Sequence, residues 1–217
     1  MQVKKALIAE FIGTFALIFI GAGAGALGVG GLVGVALAHG LVIVAFAYAY
    51  GHHSGAHINP AVTFGMLVAG ETTLANAIRY WVAQFAGASL GAFVLYVVLS
   101  GSGETSLGAT TFNPSSMTAL QALLIEAVLT FFLVNTILNT AVSGKAGNLA
   151  GMAIGLTLVF CILMGGPLTG ASLNPARTFG PALVIGDLSQ FWVYLVGTLL
   201  GASAAALLYR TVLRETV

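Results

Sequence analysis

The sequence predicts an all-α membrane protein with six transmembrane helices and two re-entrant half-helices, arranged as an inverted repeat. The first observation is composition, because the 217 residues are 59% hydrophobic and only 6% charged, with a mean hydropathy of +1.03. A soluble domain carries about a quarter charged residues. The second observation is six apolar segments long enough to cross a bilayer. The third is a pair of shorter apolar segments, each of which follows an Asn-Pro-Ala motif.

The long segments are the predicted transmembrane helices. Each is close to the roughly 20 residues that a helix needs to cross the hydrocarbon core. The breaks between them are short, and none has the composition of a domain linker. One domain is therefore expected over residues 1–217. The predicted helices lie near residues 6–27, 32–50, 75–99, 118–141, 148–165 and 189–209.

The two short segments, about 61–69 and 176–185, are predicted half-helices. The small-residue stretches before them, beginning at Gly51 and Gly166, are expected to be loops. Asn is a favoured N-cap and Pro is tolerated at the first helical position. A helix of about ten residues is roughly 15 Å long, half the bilayer core. Two of them are expected to meet N-terminus to N-terminus in mid-membrane, at Asn59-Pro60-Ala61 and Asn174-Pro175-Ala176.

The chain also repeats itself. Glu10 in the first predicted helix is echoed by Glu126, 116 residues on, and Asn59 is echoed by Asn174, 115 residues on. The repeats, about 1–100 and 117–217, each hold three spanning helices and one half-helix. Because each repeat crosses the membrane an odd number of times, the second repeat has the opposite orientation to the first. Interrupted segments at matching places in two such repeats indicate a binding or conduction site.

The basic residues predict the orientation. With the N-terminus inside, six of the seven lie at cytoplasmic ends: Lys4, Lys5, Arg79, Lys145, Arg210 and Arg214. Both termini are then cytoplasmic. The exception is Arg177, which follows the second motif and is a functional candidate because a charge within the membrane is unfavourable. The short termini and loops favour a plasma membrane, of prokaryotic type, over a plant vacuole.

Other classes of function find little support. A net charge of +1 gives no basis for a nucleic-acid partner. The single cysteine, Cys161, lies in an apolar run, and His52, His53 and His57 have no Cys or carboxylate nearby at ligand spacing. No metal or cofactor is predicted. No nucleophile–base pair lies at membrane depth, so the chain is not expected to be an enzyme.

With two Asn-Pro-Ala motifs at inverted-repeat positions and an Arg after the second, the sequence resembles the aquaporin (major intrinsic protein) family over essentially its whole length. The resemblance implies a homotetrameric, passive channel for water and small neutral solutes that excludes protons and ions. If the side-chain oxygens of Asn59 and Asn174 cap their half-helices, both amide N–H donors face the lumen. The resemblance also implies a ladder of pore-lining carbonyls, at Gly55, Ala56, His57, Gly170, Ala171 and Ser172.

The constriction of this family has four positions, which the motif register assigns to His39, Ile162, Ala171 and Arg177. This quartet is similar to the filters of some plant tonoplast-intrinsic aquaporins, several of which also pass ammonia. His39 as a helix-packing group and Ile162 as a lipid-facing one remain alternatives. Glycerol-conducting members carry Asp after the filter Arg, where this chain has Thr178. They also carry a Pro-containing pair where this chain has Phe191-Trp192. Both departures favour the water-channel branch.

Glu10 and Glu126 are carboxylates within the membrane. In another context they would suggest a proton relay, but their symmetric recurrence favours a structural role in which each accepts N–H groups of a loop and supports its half-helix.

Three alternatives to a water channel remain. A glycerol or small-polyol facilitator would share the fold. An inverted-repeat secondary transporter would share the architecture, although the chain lacks unpaired carboxylates that would couple ions. A poorly conducting membrane-junction protein is the third.

Overall fold

The computed structural model describes residues 2–215, which form helices and connecting loops without a strand. Six helices are long and apolar enough to cross a membrane: α1 Gln2–Ala26, α2 Gly31–Ser54, α4 Leu74–Val98, α5 Ala119–Val142, α6 Gly147–Thr169 and α8 Phe191–Leu213. Two short helices complete the set: α3 Pro60–Ala69 and α7 Pro175–Ile185. The predicted fold class is confirmed.

Two of the predicted helix ends were wrong. Helices α2 and α6 continue to Ser54 and Thr169, so only the first four residues of each predicted loop, 51–54 and 166–169, are helical. Pro167 lies within α6, where it donates no hydrogen bond to the preceding turn. Both helices end where the next residue, Gly55 or Gly170, adopts a left-handed conformation (φ 82° and 77°). The irregular loops are therefore only 55–59 and 170–174.

The helix pairs follow the inverted repeat. Helix α1 packs on α4 as α5 packs on α8. Each half-helix packs on a helix of the opposite repeat, α3 on α8 and α7 on α4. Each half-helix therefore lies against the last helix of the opposite repeat, which holds both short helices at the centre of the bundle.

Helices α2 and α6 pair with each other across the pseudo-two-fold axis. A Cβ on Gly40 would lie 2.7 Å from the Gly155 carbonyl oxygen, and a Cβ on Gly155 would lie 2.6 Å from that of Gly40. Only glycine permits this reciprocal approach. Such close backbone contact is how membrane helices associate without a hydrophobic driving force between them.

The outer surface of the bundle is apolar, with large side chains such as Leu41, Val82 and Leu120 exposed. Two ion pairs lie at the end of the bundle that carries Gln2 and Glu215. Lys145 binds Glu215 at 2.7 Å and Arg214 binds Glu71 at 3.1 Å. We call this end the inner side, and the opposite end, which carries loop 101–118, the outer side.

Candidate functional site

The two half-helices meet through a reciprocal pair of hydrogen bonds. Asn59 Nδ2 donates to the Leu173 carbonyl at 2.8 Å, and Asn174 Nδ2 donates to the Ile58 carbonyl at 2.9 Å. All four residues are buried. The N-termini of α3 and α7 are therefore joined at the centre of the bundle.

Both asparagines also cap their own helices. Asn59 Oδ1 accepts from the N–H groups of Ala61 and Val62, and Asn174 Oδ1 accepts from those of Ala176 and Arg177. One expectation needs correction here, because the two N–H groups of each amide are not both free. One binds the opposite loop, so each asparagine retains a single N–H for the lumen.

The loops ahead of the motifs adopt an unusual backbone. Ala56, Ile58, Ala171 and Leu173 all have φ between 47° and 54°. A β-branched residue such as Ile58 is a clear outlier in this region, and each such residue is strained by about 1–3 kcal/mol. The surrounding contacts must hold this conformation, and the two buried carboxylates supply them.

Glu10 holds the first loop from α1. Its Oε1 accepts from Ser54 Oγ at 2.6 Å and from the His57 N–H at 2.9 Å. Its Oε2 accepts from the Ile58 N–H at 2.6 Å and from Gln84 Nε2 at 2.7 Å. Four donors on one carboxylate leave no exposed lone pair, since Glu10 is fully buried.

Glu126 holds the second loop from α5 in the same manner. Its Oε1 accepts from Thr169 Oγ1 at 2.7 Å and from the Ser172 N–H at 3.0 Å, and its Oε2 accepts from the Leu173 N–H at 2.8 Å. Each oxygen of this carboxylate thus serves one backbone N–H. The arrangement supports a structural role for both carboxylates over a proton relay.

A cavity of about 380 Å³ runs from the inner side past both asparagines. At the inner end it is lined by Gly144 and Gly147, and at the outer end by His39 and Arg177. Much of its lining is apolar. Among the predicted carbonyl residues, Gly55, Ala56, His57 and Ser172 line it.

Other predicted residues lie beside this cavity. Ile162 and Ala171 are buried within the hydrophobic cluster that contains Leu129 and Leu173, and neither they nor Gly170 line the cavity. The burial of Ile162 removes the lipid-facing alternative. The place of Ile162 and Ala171 in the constriction, and that of Gly170 in the carbonyl ladder, stay predictions.

Arg177 enters the cavity from the first turn of α7. It is 5% exposed, and its Nη1 donates to the Gly108 carbonyl of the outer loop at 2.7 Å. Neither ion pair found within residues 2–215 involves it. Its Nε has no hydrogen-bond partner in the part of the chain that the structure describes. The guanidinium is thus anchored at one nitrogen and keeps donors for a solute.

His39 lies at the same end of the cavity in a defined tautomer. Its Nδ1 is 2.9 Å from the Val35 carbonyl, which can only accept, so Nδ1 carries the hydrogen. In the neutral ring Nε2 is then an acceptor, and it has no partner among residues 2–215. A Cβ on Gly21 would lie 2.7 Å from His39 Cδ2, so the glycine leaves the space that this ring occupies.

Comparison with known proteins identifies the family. The model of the major intrinsic protein family matches residues 1–209. Aquaporin TIP2-3 of Zea mays is 41% identical, covering 94% of this chain and 86% of its own length. The probable aquaporin TIP3-2 of Arabidopsis thaliana is also 41% identical, covering 98% and 85%. The chain belongs to the major intrinsic protein family.

The fold agrees with this membership. The X-ray structure of the aquaglyceroporin from Plasmodium falciparum superposes with a TM-score of 0.88 at 28% identity, covering 98% of this chain and 97% of that one. The family resemblance inferred from the sequence is confirmed. This major intrinsic protein is a water channel and not an enzyme.

The predicted plasma-membrane location is wrong. The relatives are TIP aquaporins, that is, tonoplast intrinsic proteins of the vacuolar membrane. The prediction of a multi-pass membrane protein is supported. The error came from the short loops and termini. Their length carries no information about which bilayer receives the chain, and spans of 23–25 residues cross either membrane.

Sequence reasoning missed several residues of this site. Ser54 and Thr169, which bind the buried carboxylates, are 115 residues apart, and so are Ile58 and Leu173, whose carbonyls bind the asparagines. The repeat spacing would have found all four. No sequence signal indicated Gly108 as the anchor of Arg177, because it lies in a loop without a counterpart in the other repeat.

Proposed function

We propose that this water channel also conducts ammonia, passes little glycerol and excludes protons and ions. The observation that carries the proposal is the meeting of two half-helix N-termini within one continuous cavity whose outer end holds His39 and Arg177. Water and small solutes are the partners, and the surrounding bilayer is the medium.

Proton exclusion follows from the donors at the centre. Asn59 and Asn174 each present one N–H to the lumen, since their oxygens are occupied by the caps. The helix N-termini add positive partial charge at the same point. A water molecule there accepts hydrogen bonds from the asparagines, whereas a cation meets two positive helix ends without a carboxylate facing it.

Ammonia conduction rests on the outer end of the cavity. His39 Nε2 offers an acceptor and Arg177 offers donors. Ammonia has three N–H donors and one lone pair, so its chemistry matches both an acceptor and a donor at this end of the cavity. Water and ammonia are similar in size, so size does not separate them. A constriction made only of donors favours the passage of water over ammonia, and an acceptor beside the arginine reduces this preference.

Glycerol facilitation is an alternative function, because the structure is similar to that of the Plasmodium falciparum aquaglyceroporin. Thr178 follows Arg177 in this chain, and its hydroxyl binds protein groups within the site. Phe191 begins α8 and packs edge-on against Phe179 at 5.6 Å. Phe191 and Trp192 stand where a glycerol channel is expected to carry a Pro-containing pair, which favours water and ammonia over polyols.

The remaining alternatives have less support. An ion-coupled transporter needs carboxylates that are free to bind an ion, whereas Glu10 and Glu126 already accept hydrogen bonds from the loops and from the helix ends before them. A non-conducting junction protein would not need a cavity that passes the membrane centre.

The assembly follows the family. We infer a homotetramer in a vacuolar-type membrane, supported by the family and by the TIP names of the relatives. Native mass spectrometry of the detergent-solubilised protein, against its own monomer mass, tests the assembly. A monomer as the predominant species would contradict it.

Parallel flux measurements on one reconstituted preparation test the function. Stopped-flow light scattering gives water and glycerol permeability, and an internal pH dye gives ammonia entry. We expect water and ammonia permeabilities well above those of empty vesicles and glycerol permeability close to them. Ammonia entry equal to that of empty vesicles would remove the ammonia proposal, and fast glycerol entry would favour the facilitator.

A further inference from the structure

A chain of three buried hydroxyl groups connects the outer loop to the second half-helix. Thr110 Oγ1 lies 2.7 Å from Thr178 Oγ1, which lies 2.6 Å from Ser172 Oγ. Ser172 Oγ in turn donates to the Asn174 carbonyl at 2.8 Å. All four residues are 2–4% exposed.

The direction of this chain follows from its last acceptor. The Asn174 carbonyl only accepts, and each hydroxyl has a single hydrogen. Because Ser172 gives its hydrogen to Asn174, Thr178 must donate to Ser172, and Thr110 must donate to Thr178. The loop residue Thr110 is therefore the first donor of a chain that ends at the N-cap residue of α7.

Thr110 lies two residues beyond Gly108, the residue whose carbonyl binds Arg177. Gly108 is fixed on its other side by α1, because a Cβ on it would lie 2.1 Å from the Ala22 carbonyl oxygen. Thr110 also covers Gly170, where an added Cβ would lie 2.9 Å from Thr110 Cγ2. The short segment 108–110 is thus attached to α1 at one end and to α7 at the other.

The first repeat lacks this connection. Thr63 is the counterpart of Thr178, 115 residues earlier, and its hydroxyl is held by His57 and by Gln84 of α4. The threonine of the first repeat is therefore supported from within the helix bundle. Only the threonine beside Arg177 is supported by a loop hydroxyl.

We propose that Thr110 and Thr178 are positioning residues for Arg177, acting through the outer-loop segment that presents the Gly108 carbonyl. The hydroxyl chain holds this carbonyl where it binds Nη1, and so holds the guanidinium at the outer end of the cavity. The proposal rests on the exclusion of protons and ions proposed above, and it assigns part of that exclusion to the positive charge of Arg177. Without the chain, Arg177 is displaced from its anchor for part of the time, and protons leak during those intervals.

The test compares Thr110→Val, which removes the hydroxyl at nearly constant volume, with Thr110→Ser, which keeps it. Thr111→Val is the matched control, because Thr111 is the exposed neighbour in the same loop. Proton leak is measured with an internal pH dye and water flux by stopped flow, on vesicles of equal protein content. We expect Thr110→Val to raise the leak roughly two- to tenfold, as loss of one buried hydrogen bond allows. The water flux of Thr110→Val should match that of the parent. Both readouts of Thr110→Ser and of Thr111→Val should also match the parent.

Two further variants show whether Thr110 acts through the named partners. Adding Thr178→Val to Thr110→Val should raise the leak no further than the stronger single change, because both interrupt one chain. In an Arg177→Val background, Thr110→Val should have no effect on the leak. Thr110→Ala replaces Thr110→Val should the latter not fold.

The proposal is overturned if Thr110→Val leaks like the parent, if Thr110→Ser leaks like Thr110→Val, or if the effect persists without Arg177. These outcomes are distinct from a failure of the proposed function, in which the parent protein itself would pass no ammonia or would leak protons.

Discussion

Replacing Glu126 by glutamine tests how the second loop is held. The carboxylate gives one oxygen to the Ser172 N–H and the other to the Leu173 N–H. A glutamine has one oxygen and one NH₂ group, so no orientation of the amide accepts from both. In either orientation a buried backbone N–H faces another donor.

The magnitude follows from the lost bonds. A buried donor left without a partner is destabilising by about 1–3 kcal/mol, and bonds to a charged group are about 1 kcal/mol stronger than neutral ones. We therefore expect Glu126→Gln to lower the free energy of unfolding by about 2–4 kcal/mol. For a chain of this size that corresponds to a midpoint lower by roughly 4–16 °C.

Thermal unfolding in detergent at one fixed scan rate measures the stability, and stopped-flow scattering measures the water flux per protein. Glu104→Gln is the matched control, because this carboxylate lies on the exposed outer loop, where its side chain accepts hydrogen bonds from Ser106. We expect Glu126→Gln to lower both readouts and Glu104→Gln to change neither. A midpoint of Glu126→Gln within 1–2 °C of the parent would refute the argument that the carboxylate holds the loop.

Four further predictions concern the pore. Asn174→Asp places a carboxylate oxygen against the Ile58 carbonyl and the helix N-terminus, so cation leak measured by vesicle conductance should rise; parental leak would contradict the donor role. Arg177→Val should keep water flow and increase proton leak in the pH-dye assay, whereas an unchanged proton leak would show that the asparagines alone form the barrier to protons. His39→Phe combined with Ile162→His should suppress ammonia flux and retain water flux, whereas undiminished ammonia flux would disprove the filter assignment. Gly21→Ala should displace the His39 ring and lower the ammonia-to-water ratio at constant expression, and an unchanged ratio would show that the ring orientation is unimportant.

Much of the fold could be predicted because its determinants are local. Apolar length gave the six spans, and Asn-Pro at a helix start gave the half-helices. The ends of α2 and α6 were missed because Gly51 and Gly166 look like breaks in a sequence. In the bundle these glycines lie inside helices, and the chain leaves the helix only at Gly55 and Gly170.

The site was predicted unevenly for the same reason. Asn59 and Asn174 stand in motifs, but the bond from each to the opposite loop depends on how two distant segments meet. Likewise the anchor of Arg177 lies 69 residues away in a loop without regular structure. Hydrogen bonds of this kind follow from the tertiary fold and leave no periodic trace in the sequence.

We conclude that this chain forms a passive, ion-tight water pore. The most direct measurement is the temperature dependence of osmotic water permeability in reconstituted vesicles, with proton leak recorded on the same preparation. We expect permeability well above that of empty vesicles, a low activation energy, no dependence on an ion gradient, and no added proton leak. Water permeability and activation energy equal to those of empty vesicles would contradict it.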